Sequence, residues 1–225
     1  MLMTAAMPPE SPAPPAGASG TLILLVRHGV TPTTGRVLPG RAPGLHLSDA
    51  GRAQAERVAE RLADLPVSAI YSSPLERAHE TAEPTATRAR RDVKLDDGLL
   101  ECDFGDWTGA ALADVSALPE WQTVQRSPST FRFPRGESFT EMQARIVGAI
   151  RALRAAHAGG VVVCFSHADP IKAAVAHALG TPLDLFQRIA ISPGSVSAIS
   201  FVEGQAPTVL MVNSTSEPLS GLLGP

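Results

Sequence analysis

Arg27-His28-Gly29 closes the apolar run Thr21 to Val26, and Ser166-His167 closes a second run, Val161 to Phe165. A row of β-formers that stops abruptly at ionisable side chains reads as a buried strand delivering those side chains to a loop. Two strands that each finish on a histidine predict one pocket with two imidazoles facing each other. A third run, Ala69 to Tyr71, ends in Ser72-Ser73-Pro74, with Arg77 three residues on. Together these ends supply two arginines, two histidines and several hydroxyl or backbone donors, a set that fits a tetrahedral dianion. Arginine forks match phosphate oxygens, and hydrogen bonds to charged groups contribute roughly 1.5–3 kcal/mol each.

Binding phosphate does not by itself require two histidines, whereas an imidazole nitrogen can attack phosphorus and hold the phosphoryl group covalently. His28 is the better nucleophile candidate, because Gly29 lets the backbone turn sharply beside it. A carbonyl in that turn can hold the proton of the other ring nitrogen and fix the attacking tautomer. His167 is then expected opposite, in its charged form, facing the equatorial oxygens. The departing alkoxide needs a proton, and Leu100 to Trp107 offers Glu101, Asp103 and Asp106 beside two aromatics. A carboxyl against apolar rings can stay protonated near neutral pH. Spacing alone does not choose among the three.

The elements that must position these groups alternate strand-like and helical patterns, the signature of a three-layer α/β/α sandwich with a mostly parallel central sheet. Ligands bind such sheets outside the carboxyl ends of the strands. After the first strand, Ser48 caps a helix with Ala50, Ala53, Val58 and Leu62 at helical spacing. Ser73 as cap and Pro74 at the first helical position open a second helix, with Arg77 in its first turn, and Pro84 is expected to kink or end it early. A weaker strand is expected at Val93 to Leu95. The segment from Thr108 to Arg135 holds two short helical pieces and Arg126, Arg132 and Arg135, and reads as a cap-like excursion from the sheet. Those arginines could grip a second anionic group or form a solvated patch, and they stay outside the candidate site. Ser138 to Glu141 is a capping box for a helix through about Ala156. Another helix is expected from about Pro170 to Leu179, then strands near Val196 to Phe201 and Val209 to Val212.

The chain has 225 residues, 44% of them hydrophobic, enough for one core, so residues 21–225 are expected to form a single domain. Residues 1–20, rich in proline and alanine, are expected to be a disordered tail. Nineteen basic residues against 22 acidic ones, intermixed, leave no stripe suited to nucleic acid. No apolar run approaches the roughly 18 residues of a membrane span. The start lacks the form of a signal peptide, and Cys102 and Cys164 read as reduced core thiols, so a cytoplasmic location is expected. His46, His79, His157 and His177 read as surface or helix residues. Neither cysteine has an arginine six residues later, and neither GxxxxGK[ST] nor HExxH occurs.

Four blocks in order resemble the histidine phosphatase superfamily, also called phosphoglycerate mutase-like: LVRHGVT (Leu25 to Thr31), SSPLERAHETA (Ser72 to Ala82), LLECDFGDWTG (Leu99 to Gly109) and FSHADPIKA (Phe165 to Ala173). The resemblance runs from about Thr21 to Val212. It implies the phosphoglycerate mutase-like fold, His28 as the phosphorylated residue, Glu101 as proton donor, His167 as the second histidine, and Arg27 and Arg77 as phosphate ligands, with no metal and no cofactor. Three positions depart from the family pattern. Val30 stands where a polar residue often follows the signature glycine, Thr34 where many members carry a phosphate-binding asparagine, and Ala168 where glycine usually follows the second histidine. The implied activity is hydrolysis of a small phosphorylated metabolite. A phosphomutase shares the first half-reaction, but the arginine and tyrosine that follow the acid glutamate in glycolytic mutases are replaced here by Cys102-Asp103-Phe104. A binding module that had lost catalysis would be expected to lack the nucleophile or the acid, and both are present.

Overall fold

A computed structural model describes residues 20–216. The expected tail therefore lies, apart from Gly20, outside the described residues. The elements are β1 (Thr21–Arg27), α1 (Asp49–Leu62), β2 (Val67–Ser72), α2 (Glu76–Ala89), β3 (Val93–Leu95), α3 (Leu112–Ser116), α4 (Trp121–Arg126), α5 (Phe139–Ala156), β4 (Val161–Ser166), α6 (Ala168–Ala178), β5 (Val196–Phe201) and β6 (Thr208–Ser214). The sheet order is β3-β2-β4-β1-β5-β6. The first four strands in that order pair in parallel, and β5 and β6 join antiparallel. The architecture is a mixed six-stranded α/β sheet with helices on both faces.

Strand alternation divides the interior into two cores. In β1, Ile23 and Leu25 pack with Val162 and Cys164 of β4 on the side of α5 and α6. Leu24 and Val26 pack with Val163 and Phe165 on the side of α1 and α2. Both central strands are thus apolar on each face, and each fully buried aliphatic or aromatic side chain contributes about 1.5–3 kcal/mol. Helices α3 and α4 lie over the first core, where Val115 and Val124 join a cluster of Trp107, Phe131, Phe133 and Phe139. Both cysteines are free and buried, and burial pushes each thiol pKa up. Among the described residues no helix is long and apolar enough to cross a membrane.

Four local expectations are corrected. Helix α2 continues past Pro84 to Ala89, because Ala78, Ala82, Thr85 and Ala86 are buried on both sides of the proline and hold the helix down. Leu75, not Ser73, occupies its N-cap position. In α1 the inward stripe is Gly51, Ala55, Val58, Ala59 and Leu62, while Ala50 and Ala53 face solvent. Helix α6 begins at Ala168, with His167 as its N-cap residue. The capping box is present, Glu141 N donating to Ser138 Oγ at 3.2 Å and Ser138 N to Glu141 Oε2 at 3.0 Å.

Candidate active site

Strand register brings the two histidines together. In the parallel β1–β4 pair Arg27 lies opposite Ser166, so His28 and His167 leave the same edge of the sheet side by side. His28 N donates to Ser166 O at 3.0 Å and Ser73 N to Phe165 O at 2.9 Å, extending the ladder to the last residues before the loops. The two imidazole centroids are 5.2 Å apart. His28 Nδ1 donates to Gly29 O at 2.7 Å, which leaves Nε2 as the ring nitrogen with a lone pair. Gly29 earns its place by close approach and not by a left-handed turn. A Cβ there would meet Gly51 O at 2.5 Å, and one on Gly51 would meet Val30 O at 2.1 Å. The loop after β1 and the first turn of α1 can pack this closely only as glycines.

His167 is fully buried, with Nε2 2.8 Å from Ser73 Oγ and Nδ1 without a hydrogen-bond partner among the described residues. Ser73 Oγ also accepts from Leu75 N at 3.3 Å. When Ser73 donates to Nε2, the His167 proton sits on Nδ1 and is free for a ligand. Both imidazoles have pKa values well below 6.5. Burial is the main cause, reinforced by Arg27 and Arg77 at His28 and by Arg77, His28 and Arg27 at His167. The expectation of a charged His167 is therefore corrected: both rings are neutral at neutral pH, because a proton on either would add to two buried guanidinium charges.

Arg77 is 0% exposed. Its Nη2 donates to Gly40 O at 2.8 Å, while Nε and Nη1 are buried without a partner among the described residues. Arg27 Nη1 donates to Ile191 O at 2.6 Å, and its Nε is likewise unpartnered. Burial lowers both guanidinium pKa values from the ordinary arginine value, though not enough to discharge a group of this kind. Unsatisfied donors on buried cations are costly, so this cradle suits an oxyanion.

Of the three carboxylates, only Glu101 lines the adjoining cavity, a space of about 320 Å³ that also contacts Arg27, His28, Thr31 and Thr34. Glu101 is buried and its pKa is pushed up to about 7, first by burial and then by the negative charge of Asp169. Asp103 instead accepts from Gly105 N at 3.0 Å, and Asp106 pairs with Arg135. Thr34 lines the cavity, but its hydroxyl accepts from Thr31 N at 2.8 Å. Arg77 and His167 are not among the residues that line it. Arg126, Arg132 and Arg135 do not line it, and Arg132 is paired with Glu141.

Sequence reasoning missed Ser73 as the partner of His167, and Asp169 and Lys172 on the cavity wall. Lys172 Nζ donates to Asp169 Oδ1 at 3.1 Å and to Gln187 Oε1 at 3.0 Å. Their signal was the i, i+3 spacing in a helix that starts directly at His167.

A model of the histidine phosphatase superfamily (branch 1) matches residues 23–215. The bifunctional protein Rv2228c of Mycobacterium tuberculosis is 34% identical over 214 residues, which cover 92% of this chain and 58% of that protein. The chain thus spans little more than half the length of that relative. Phosphoserine phosphatase 1 of Hydrogenobacter thermophilus is 31% identical over 198 residues, covering 86% of this chain and 92% of that one. Among solved structures, mycobacterial glucosyl-3-phosphoglycerate phosphatase Rv2419c superimposes with a TM-score of 0.78 at 26% identity, over 87% of this chain and all of that one.

Proposed function

The chain belongs to the histidine phosphatase superfamily, and on that premise we propose that it hydrolyses a phosphomonoester through a phosphohistidine at His28. The observation that carries the reading is Arg77, fully buried with Nε and Nη1 unpartnered among the described residues, next to two neutral imidazoles. In the first step His28 Nε2 attacks phosphorus, the ester P–O bond breaks, and Glu101 gives its proton to the leaving alkoxide oxygen. In the second, the Glu101 carboxylate takes a proton from water, whose oxygen attacks phosphorus as the P–N bond breaks. Phosphate leaves and Glu101 is protonated again. Arg27 and Arg77 hold the equatorial oxygens, and His167 donates to one of them from Nδ1. The two guanidinium groups supply the positive charge that a metal ion supplies in other phosphatases. Thr34 is at most an indirect contact, since its hydroxyl is committed to Thr31. The substrate is a small phosphorylated metabolite, met in the cytoplasm.

The test is rapid quenching in base with excess phosphoester, followed by peptide mass analysis. One phosphoryl group on His28, acid-labile and absent from His28→Ala, is expected, with phosphate release unaffected by chelators. Undiminished turnover by His28→Ala would exclude the covalent route. Isomerisation of phosphoglycerate without phosphate release would make the chain a mutase.

A further inference from the structure

The cavity that opens from His28 and Glu101 is lined by two unlike sets of side chains. One is polar and includes Arg27, His28 and Thr31. The other is apolar and includes Val37 and Leu38 from the loop after β1, Leu112 of α3, Trp121 of α4, and Phe104. Trp121 is held against Trp107, ring centroids 6.4 Å apart, and Trp107 against Phe133 at 5.4 Å. This wall is a braced surface and not a floppy loop. Val37, Leu38, Leu112 and Trp121 are only partly buried, so apolar area remains for a ligand to cover.

The lysine charge on the lining is cancelled internally. Lys172 is the one lysine on the cavity, and its ammonium is tied to Asp169 and Gln187. Outside the lining, Arg41 is paired with Glu137, Arg132 with Glu141 and Arg135 with Asp106. Beyond Arg27, a carboxylate or second phosphate would find no unpaired cation among the residues that line the cavity. Removing such a group from water without a partner is strongly unfavourable.

We infer that the substrate is the phosphomonoester of an uncharged alcohol with a ring-sized apolar face, its body lying between Trp121, Leu112 and Leu38. The inference rests on the phosphatase reading and narrows it: esters whose alcohol carries a carboxylate are poor substrates. The cavity volume, at the lower end for small-ligand sites, admits a phosphate with one or two rings.

The test compares alkyl phosphates of similar leaving-group basicity: phenethyl phosphate, glycerol phosphate, phosphoserine and phosphoglycerate. With the wild-type protein, kcat/KM for the phenethyl ester is expected to exceed that for phosphoserine and phosphoglycerate by about tenfold or more. Trp121→Ala should cut the phenethyl-to-glycerol ratio by roughly fivefold, and Gln125→Arg, an exposed change on the same wall, should raise turnover of phosphoglycerate. Equal or better use of the carboxylated esters by the wild type overturns the inference. Calorimetric binding of the same esters to His28→Ala separates the two readings. Tighter phenethyl binding without turnover by the wild type would refute the phosphatase and keep the pocket preference, whereas tighter phosphoglycerate binding would refute the preference alone.

Discussion

His28, His167 and Glu101 share one buried space with Arg27 and Arg77, and the same burial moves their protons in opposite senses. The imidazoles are charged when protonated, so burial and the guanidinium groups hold them neutral, well below 6.5. The carboxyl is neutral when protonated, so burial and Asp169 hold its proton up to about 7. On the proposed mechanism, a nucleophilic base and a general acid thus coexist near neutral pH. That mechanism needs neutral His28, which is gained as pH rises through its low pKa, and protonated Glu101, which is lost as pH rises through about 7. We expect kcat/KM to be level below pH 7 and to fall about tenfold per pH unit above it. Glu101→Gln should lower the rate by roughly 10²–10⁴ and abolish that falling limb. Stability gives an independent reading of the same group. Because the folded pKa is raised, this contribution is full below 4.5 and is lost as pH rises to about 7, on the order of 3 kcal/mol in total. Urea unfolding at pH 5 and pH 8 should show Glu101→Gln gaining relative to wild type at the higher pH. A difference that does not change with pH would mean that Glu101 is an ordinary carboxylate.

At the scale of elements, helix α5 fixes the loop that carries Glu101. Arg145 grips Glu137 through two bonds of 2.9 Å, and its Nη1 donates to Leu100 O at 2.9 Å and Gly98 O at 3.0 Å. Arg41 joins from the loop after β1, donating to Glu137 Oε2 at 3.0 Å and Glu101 O at 2.8 Å. Glu137→Ala leaves two arginines without their shared anion, so a loss on the order of 3 kcal/mol in urea unfolding is expected, with a fall in kcat larger than any change in KM. Wild-type stability in that variant would show the network to be idle. None of this network was legible beforehand, because Arg41 is 96 residues from Glu137 and the spacing of Glu137 and Arg145 matches no local pattern. What was legible had a local cause. The strand ends at His28 and His167 were marked by an abrupt change from apolar to ionisable residues, and the α5 start by its capping box. Pro84 misled because packing on both sides of it outweighs one missing backbone bond. Ser73 misled because a serine before proline looks the same whether its hydroxyl caps a helix or, as here, serves a histidine 94 residues away. The choice of Glu101 over Asp103 and Asp106 required knowing which carboxylate faces the cavity, a tertiary fact.

The whole molecule is what assembles the oxyanion cradle. Arg27 and His28 come from β1, Ser73 and Arg77 from the β2–α2 corner, His167 from the end of β4, and Gly40 O from the loop after β1. An unfolded chain holds these groups apart, so an oxyanion that uses them binds the folded state alone and shifts the unfolding equilibrium by mass action. Inorganic phosphate is the simplest probe. At a hundred times its dissociation constant it should add about 2.7 kcal/mol. For a domain of this size that corresponds to a rise in Tm of roughly 5–10 °C. Chloride at matched ionic strength should do far less, since general screening does not supply four oxygens to fixed donors. His28→Ala should keep most of the shift, because it removes the nucleophile and leaves the guanidinium groups. Arg77→Ala should lose most of it. That variant also removes a fully buried side chain, so its starting Tm will differ and the shift is the quantity to compare. A shift of equal size in Arg77→Ala, or none in the wild type, would mean that the unpartnered Nε and Nη1 hold no oxyanion.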